Sequence, residues 1–171
     1  MGRITRNFNA KNLKEKAAHQ KKSNKKLVKK LKQLNYRKLD EIVHSLHYHK
    51  FEEANCLECA NCCKSISPII TYQDINRIAK HLKEKPSKLI EQYFSIDEDD
   101  DYVFRKQPCP FLGEDNYCSI YDHRPRACRD YPLTDRIKFY QALDVSVKNT
   151  AVCPVVYEIF EDIKQNQIDT Q

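Results

Sequence analysis

Residues 56–63 read CLECANCC, which places four cysteines, Cys56, Cys59, Cys62 and Cys63, within eight positions. Cysteine thiolates bind zinc, iron and other soft or borderline metals. Short loops between ligands also lower the entropy that is lost when the ligands gather around one ion. The run therefore predicts a small fold organised around a metal ion or an iron-sulfur cluster.

The run contains two overlapping Cys-x2-Cys steps. If residues 56–63 were helical, the four thiols would lie within about 120° of arc, at about 100° per residue. If they formed a knuckle, backbone amides would point at the sulfur atoms and offset their charge. In both cases we expect one neighbourhood to receive three or four sulfur ligands.

The remaining cysteines follow much later and stand beside prolines and arginines. Arg124 and Arg129 flank one of them, and guanidinium groups so placed would donate to thiolates or bridging sulfides and lower thiol pKa values. The alternative for the two arginines is an ordinary surface ion pair with Asp122 or Asp130. The predicted ligand pool is the whole set of eight thiols: Cys56, Cys59, Cys62, Cys63, Cys109, Cys118, Cys128 and Cys153.

Histidines are weaker ligand candidates. His123 lies between two cysteines of the pool, but a histidine in a surface turn is the more ordinary interpretation. His44, His47 and His49 fall in a basic, helical stretch, where we expect them on a solvated helix face.

The composition favours a reduced, cytoplasmic protein. No apolar run approaches the roughly 18–20 residues of a membrane span, and the first residues lack the apolar segment of a secretory signal. In an oxidising compartment eight cysteines would suggest four disulfides, whereas in a reducing one they are expected to bind metal. The chain has only 2 glycines, which argues against a Rossmann or P-loop site.

Charge divides the chain of 171 residues into two parts. Residues 1–50 carry 15 Lys+Arg against 3 Asp+Glu, and residues 51–171 carry 15 against 21. A basic arm of this kind is expected either to cover one side of the body as a solvated helix or to contact RNA or an acidic protein. Because lysine dominates and no aromatic ladder accompanies it, any RNA contact would be independent of base sequence.

Apolar periodicity predicts the elements of the arm. Leu27, Leu31 and Leu34 form one helical stripe, and a second stripe that begins at Leu39 is rotated by about 100°. We therefore expect either a bend or break near Asn35 and Tyr36, or two stripes that pack against different partners. The predicted organisation is a disordered basic tail at 1–22, a basic helical arm at 23–50 and a cysteine-cluster metal-binding domain at 51–171.

The body is predicted to be α+β and mostly helical. Thr71 and Asp74 are spaced as a capping box, and Pro86 and Pro154 suit the first turns of two further helices. Residues 102–105 and 117–121 have strand-like composition and are expected to pair across the turn at 113–116 as a short hairpin. The result would be a small Cys-rich, metal-centred domain.

The spaced motifs, taken together, resemble a known family. The Cys-x2-Cys-x2-Cys-Cys run is followed by Cys-Pro-Phe-Leu, Cys-Ser-Ile-Tyr, Arg-Pro-x2-Cys-Arg-x-Tyr-Pro and a late Cys-Pro. This pattern, from Cys56 to Pro154, resembles the CxxCxxCC zinc- or iron-chelating family, also called YkgJ-like cysteine cluster proteins. Asp74 also stands where the family places an Asp after a Thr. The resemblance implies a metal or iron-sulfur centre, and some relatives are named as iron-sulfur oxidoreductases or flagellin lysine methylases.

Three functions remain open at this stage. The first is an iron-sulfur or zinc centre that holds the body together and carries electrons in the iron-sulfur case. The second is an iron-sulfur-dependent oxidoreductase or group-transfer enzyme, with acid or base groups such as Asp122, His123 or Asp130. The third is a structural zinc domain whose arm, residues 1–50, docks RNA or an acidic partner.

Overall fold

A computed structural model of the protein describes residue 10 and residues 12–166. The fold is α+β and mostly helical, as predicted. The helices are α1 (Leu13–His19), α2 (Lys21–Leu31), α3 (Tyr36–Glu53), α4 (Cys56–Cys59), α5 (Asn61–Ser65), α6 (Tyr72–Leu82), α7 (Pro86–Tyr93), α8 (Arg126–Asp130), α9 (Leu143–Asn149) and α10 (Pro154–Gln165). Two strands, β1 (Phe94–Ile96) and β2 (Tyr102–Phe104), and 3-10 helices at Tyr121–His123 and Phe139–Ala142 complete the described elements.

The chain forms two compact units. The first comprises the described parts of Met1–Cys59 and Pro132–Gln171, and the second is Ala60–Tyr131. A boundary between the arm and the metal-binding domain was predicted at residue 51. The arm helix α3 belongs to the first unit, where it packs against α10.

The predicted break in the arm is confirmed. Helix α2 ends at Leu31 and α3 begins at Tyr36, with the Asn35 side chain accepting a hydrogen bond from the Arg37 amide at 2.9 Å. Such a cap satisfies one of the amides that the first turn of a helix leaves unpaired.

Residues 1–22 were predicted to be a disordered tail, but most of the described part of this segment is helical. Residues 13–19 form α1, which is stabilised because Leu13 and Ala17 are buried on one face. Residues 21–22 begin α2. For residues 1–9 and 11 the prediction of disorder lies outside the described residues.

The core of the first unit joins the arm to the C-terminal helix. Lys50 on α3 is buried, and its ammonium lies 2.8 Å from Asp162 and 3.2 Å from Glu158, both on α10. Burial alone would lower the pKa of Lys50, but the two carboxylates outweigh it and raise that pKa. The buried apolar residues of this core are Val28, Leu31, Leu39, Val43, Phe139, Ala142, Leu143, Val155, Val156, Ile159, Phe160 and Ile163.

The second unit is built on α6 and α7. The capping box predicted for α6 is confirmed, since Thr71 and Asp74 each accept a hydrogen bond from the other's backbone. Pro86 occupies the first turn of α7, also as predicted. The buried apolar residues of this unit are Ile70, Ile75, Ile78, Ala79, Leu89, Phe94, Phe104, Phe111 and Ile120.

The hairpin of the second unit differs from the prediction. Strand β2 lies where a strand was predicted, but it pairs with β1 in antiparallel register, with Phe94 opposite Phe104. Residues 97–101, which are all acidic, make the turn between the two strands, because the Asp97 side chain accepts from the amides of Asp99 and Asp101, both at 3.0 Å. The strand predicted at 117–121 was wrong: this segment forms a single bridge between Leu112 and Cys118 before the next 3-10 helix begins.

No helix in the described part of the chain combines the length and the apolar character that crossing a lipid bilayer would require.

Candidate metal centre

The eight cysteines are thiols and belong to two groups, one in each unit. The run at 56–63 is shared between them. Cys56 and Cys59 lie on α4 in the first unit, while Cys62 and Cys63 lie on α5 in the second. Ala60, just before α5, has a left-handed backbone with φ of 45°, so the run is not one continuous helix. The expected arc of four helical thiols is therefore not formed.

Backbone pairing draws the later cysteines of the second unit toward α5. The Cys109 amide donates to the Cys63 carbonyl at 2.9 Å. Cys118 in turn pairs with Leu112, three residues beyond Cys109. The Cys62 and Cys63 sulfur atoms are 3.9 Å apart, within range of a hydrogen bond between sulfur atoms. Residues that are widely spaced in the sequence thus supply thiols to one unit.

In the second unit four thiols lie close enough for the charge of one to change the pKa of another: Cys63, Cys109, Cys118 and Cys128. Burial raises the pKa of Cys109 to about 11 and that of Cys128 to about 12, and it also raises the pKa of Cys118. The charge of the Cys63 thiolate raises all three of these pKa values further. Each of the four thiols would therefore repel the others once ionised. A cation among them would turn this repulsion into attraction.

Cys63 is the most acidic thiol for which the structure defines a shift. A hydrogen bond from Cys62 is the main cause that lowers the pKa of Cys63 to about 7, against burial, and the charge of Lys64 contributes in the same direction. A thiolate already present near neutral pH is the form that binds a metal.

The first unit holds a group of three thiols. Burial is the main cause that raises the pKa of Cys153 to about 12, and the charges of Cys56 and Cys59 raise it further. Cys153 immediately precedes α10, and the amides of Val155 and Val156 hydrogen-bond to its sulfur and oppose the shift. No local pattern in the sequence groups Cys153 with Cys56 and Cys59 rather than with the other late cysteines.

The two candidate arginines differ in their surroundings. The positive charge of Arg124 lowers the pKa values of Cys118 and Cys128, against the effect of burial. Its guanidinium lies 3.8 Å from the centre of the Tyr121 ring and donates to the Tyr121 carbonyl at 2.6 Å, so its position is fixed. Arg129 is exposed on α8, and its role beside a thiol stays a prediction.

Asp74 connects two elements of the second unit. It is buried at the start of α6, and its carboxylate accepts from the Arg77 side chain at 2.5 Å and from the Arg126 amide at 3.0 Å. Arg126 is the first residue of α8, the helix that carries Cys128. Burial would raise the pKa of Asp74, but these hydrogen bonds and those from Thr71 outweigh it and hold that pKa below its usual value.

The histidines have partners outside the thiol groups. His44 lies 3.1 Å from the Arg136 carbonyl oxygen and His47 lies 2.7 Å from the Thr134 hydroxyl. Burial lowers the pKa of His47, so its neutral form is favoured. His123 stacks on His81, with ring centres 4.1 Å apart. His123 lies in a 3-10 turn, as expected, whereas His44 and His47 are half-buried rather than on a solvated helix face.

The thiols are chemically suitable metal ligands, but they are not yet at coordination distance from a common point. Among the residues that the structure describes, no three Cys, His, Asp or Glu side chains are already gathered at ligand spacing. Four cysteine thiolates are nevertheless the donor set that zinc and iron-sulfur clusters take. Binding would therefore require thiol side chains of the same group to move toward one another.

Comparison with known proteins assigns the family. The model of the CxxCxxCC family, described as a "putative zinc- or iron-chelating domain", matches residues 55–154, more than half of the chain. The chain belongs to the CxxCxxCC family. Searches of curated proteins and of solved structures found no match. The CxxCxxCC match covers all eight cysteines and leaves the basic helices α1 to α3 outside.

Two residues near the CxxCxxCC thiols were not singled out from the sequence. Lys64 helps to ionise Cys63, and its adjacency in the sequence was the available signal. Arg77 pairs with Asp74 at the i, i+3 spacing of a helix, which was also visible. The link from Asp74 to the Arg126 amide spans 52 residues and left no local signal.

Reactivity toward an alkylating agent should separate Cys63 from Cys109 in the metal-free, reduced protein. With pKa values of about 7 and about 11, about half of Cys63 is thiolate at pH 7 but only about one part in ten thousand of Cys109. The lower nucleophilicity of an acidic thiolate offsets part of this difference, which leaves a rate ratio of roughly 100.

A time course of iodoacetamide labelling, followed by peptide mass spectrometry, measures the ratio. At pH 9 the ratio should fall by more than about tenfold, because Cys63 is then fully ionised while Cys109 continues to gain thiolate. Equal labelling rates at pH 7 would show that the Cys62–Cys63 hydrogen bond does not acidify Cys63.

Proposed function

We propose that this CxxCxxCC domain binds a zinc ion or an iron-sulfur cluster in its second unit through the thiolates of Cys63, Cys109, Cys118 and Cys128. The observation that carries the proposal is the backbone pairing that brings separate segments together: the Cys109 amide donates to the Cys63 carbonyl at 2.9 Å, and Cys118 forms a bridge with Leu112. The effect of the Cys63 charge on the pKa values of the other three thiols supports the same grouping. The Cys62 sulfur lies 3.9 Å from the Cys63 sulfur, so Cys62 is a fifth candidate ligand in this unit.

The group of Cys56, Cys59 and Cys153 is proposed as a second, three-thiolate position. The charges of Cys56 and Cys59 both act on Cys153, which supports a shared site. Three protein ligands leave a fourth position for water or a substrate, as in catalytic zinc sites. This is the feature that favours the enzyme alternative, an iron-sulfur-dependent oxidoreductase or group-transfer enzyme.

The two metals would give the second unit different roles. Zinc has no redox chemistry and would act as a structural crosslink, whereas an iron-sulfur cluster would supply electron transfer. In either case Arg124 offsets thiolate charge beside Cys118 and Cys128, and donors near sulfur tune a cluster's potential. A reducing, cytoplasmic location would keep all eight thiols available.

Purification without oxygen, followed by metal and sulfide analysis and a visible spectrum, tests this function. We expect at least one equivalent of zinc, or iron with acid-labile sulfide and a brown colour, per chain. Chelation should release the metal and lower the thermal unfolding temperature, because metal binding and folding are coupled through the ligands. A folded chain that contains neither metal and does not change with chelator would rule the proposal out.

A second candidate function is docking of RNA or an acidic partner by residues 1–50. Helix α2 has no acidic residue in its first turn and has lysines through its last turn, which favours an anionic partner. Lysines of α2 and α9 line one groove, which identifies a definite binding surface for this candidate function.

A further inference from the structure

We propose that a lysine-lined groove between α2 and α9, here called the lysine groove, binds the phosphate backbone of single-stranded RNA. The groove is lined by Lys21, Lys25, Lys29 and Lys32 of α2 and by Lys148 and Asp144 of α9, together with a small apolar floor. This inference rests on the second candidate function above and assigns its partner and its surface. It uses no residue of the two thiol groups.

The α2 lysines lie along one line of the helix surface. Their spacing of four, four and three residues places successive side chains one turn apart on the same face. From Lys21 to Lys32 this line extends for about 17 Å. The α9 side contributes Lys148 and Asp144, so the positive charge of the groove comes mainly from the α2 line.

Within the part of the chain that the structure describes, four of the five groove lysines form no ion pair with a carboxylate. Lys32 is the groove lysine with an acidic partner among the described ion pairs, at 2.8 Å from Asp144. Lys21, Lys25, Lys29 and Lys148 are exposed. A groove of about 410 Å³ with four such ammonium groups would concentrate anions from solution.

The lining favours a phosphate backbone over an acidic peptide. The apolar floor consists of Val28, which is 6% exposed, and Val147, which is half-buried. Peptides that dock in grooves insert several apolar anchors, and this floor offers little free surface for them. No aromatic residue lines the groove on which a base could stack, so the contact would be with phosphate and independent of base sequence.

Binding of a fluorescent oligouridylate of about 12 nucleotides, a length within the usual site size of single-strand binders, tests the inference. Anisotropy titrations of the full chain at several salt concentrations should give a slope of log K against log salt of about −3, at about −0.7 for each of four phosphates neutralised. Changing Lys21, Lys25 and Lys29 together to Gln should reduce that slope to about −1 and weaken binding by more than about tenfold at low salt.

The matched control changes Lys22, Lys26 and Lys30 to Gln. These exposed lysines lie on the same helix with the same spacing and the same charge, but they are not among the residues that line the groove. The control should keep the full slope. Equal losses in the two triple variants would mean that docking is diffuse and that the groove assignment is wrong, while RNA docking by the arm would stand.

Two further results would contradict RNA binding itself as well as the assignment to the groove. If the unmodified chain does not bind oligouridylate, both the groove and RNA docking by the arm fail. If an oligoglutamate of equal charge displaces the RNA with equal efficiency, the site recognises carboxylate as well as phosphate, and the assignment to RNA is wrong. Circular dichroism of each variant checks that α2 is retained.

Discussion

Replacing Asp74 with Ala is expected to lower the free energy of unfolding by about 2–3 kcal/mol, because it removes a buried charged acceptor and the partner of a helix cap, while Arg77 is half-buried and can be solvated. Asp74 is 1% exposed and its carboxylate accepts from the Thr71 amide and hydroxyl, at 3.0 and 2.6 Å, and from Arg77 and the Arg126 amide. The change would leave these donors without their acceptor at the start of α6 and at the start of α8. Urea denaturation of the reduced, metal-free protein measures the loss.

Asp130→Ala is the control for this change. Asp130 also pairs with Arg126, at 3.2 Å, but both side chains are largely exposed, so we expect a loss below about 1 kcal/mol. If the two variants were equally stable, the carboxylate of Asp74 would not hold α6 and α8 together.

The same carboxylate predicts how stability depends on pH. Its pKa in the folded protein lies below the unfolded value because hydrogen bonds outweigh burial. Its contribution is therefore fully present above the unfolded pKa of about 3.9 and is lost as the pH falls through the lower, folded pKa. The Asp74→Ala variant should lack this part of the acid-induced loss of stability.

Replacing Cys128 with Ser is expected to weaken metal binding by the second unit by more than about 100-fold. Loss of a residue that only orients a ligand already costs about 10- to 100-fold in affinity, and Cys128 is proposed as a ligand. Serine keeps nearly the same size but does not supply a thiolate. Metal content after dialysis against a graded chelator measures the change.

Cys153→Ser is the matched control for Cys128→Ser. Both thiols are half-buried, with pKa values of about 12, but Cys153 interacts with Cys56 and Cys59. The Cys153 variant should therefore keep the metal of the second unit. If both substitutions release the same metal, one centre draws on thiols of both groups and the proposed partition is wrong.

The helices could be predicted from the sequence because their signals are local. The break at Asn35, the capping box of Thr71 and Asp74 and the first turn of α10 at Pro154 each depend on residues within about one helical turn. The cysteine run likewise predicted the family, whose model matches residues 55–154.

The missed features depend on contacts between distant segments. Strand β2 pairs with β1 rather than with 117–121 because Phe94 and Phe104 are both buried in one core, which strand composition alone does not show. The division of the cysteine run depends on the left-handed backbone at Ala60, a residue type that rarely adopts it. The lysine groove required Lys148, which is more than 100 residues from α2 in sequence.

X-ray absorption at the metal edge of the chain purified without oxygen counts the sulfur atoms around the metal. Thiolates that converge as proposed should give about three to four sulfur neighbours per metal, averaged over the four-thiolate and three-thiolate positions, at about 2.3 Å if the metal is zinc. That number should fall in the Cys128→Ser variant. A first shell made mainly of nitrogen and oxygen, unchanged by the substitution, would contradict ligation by these thiols.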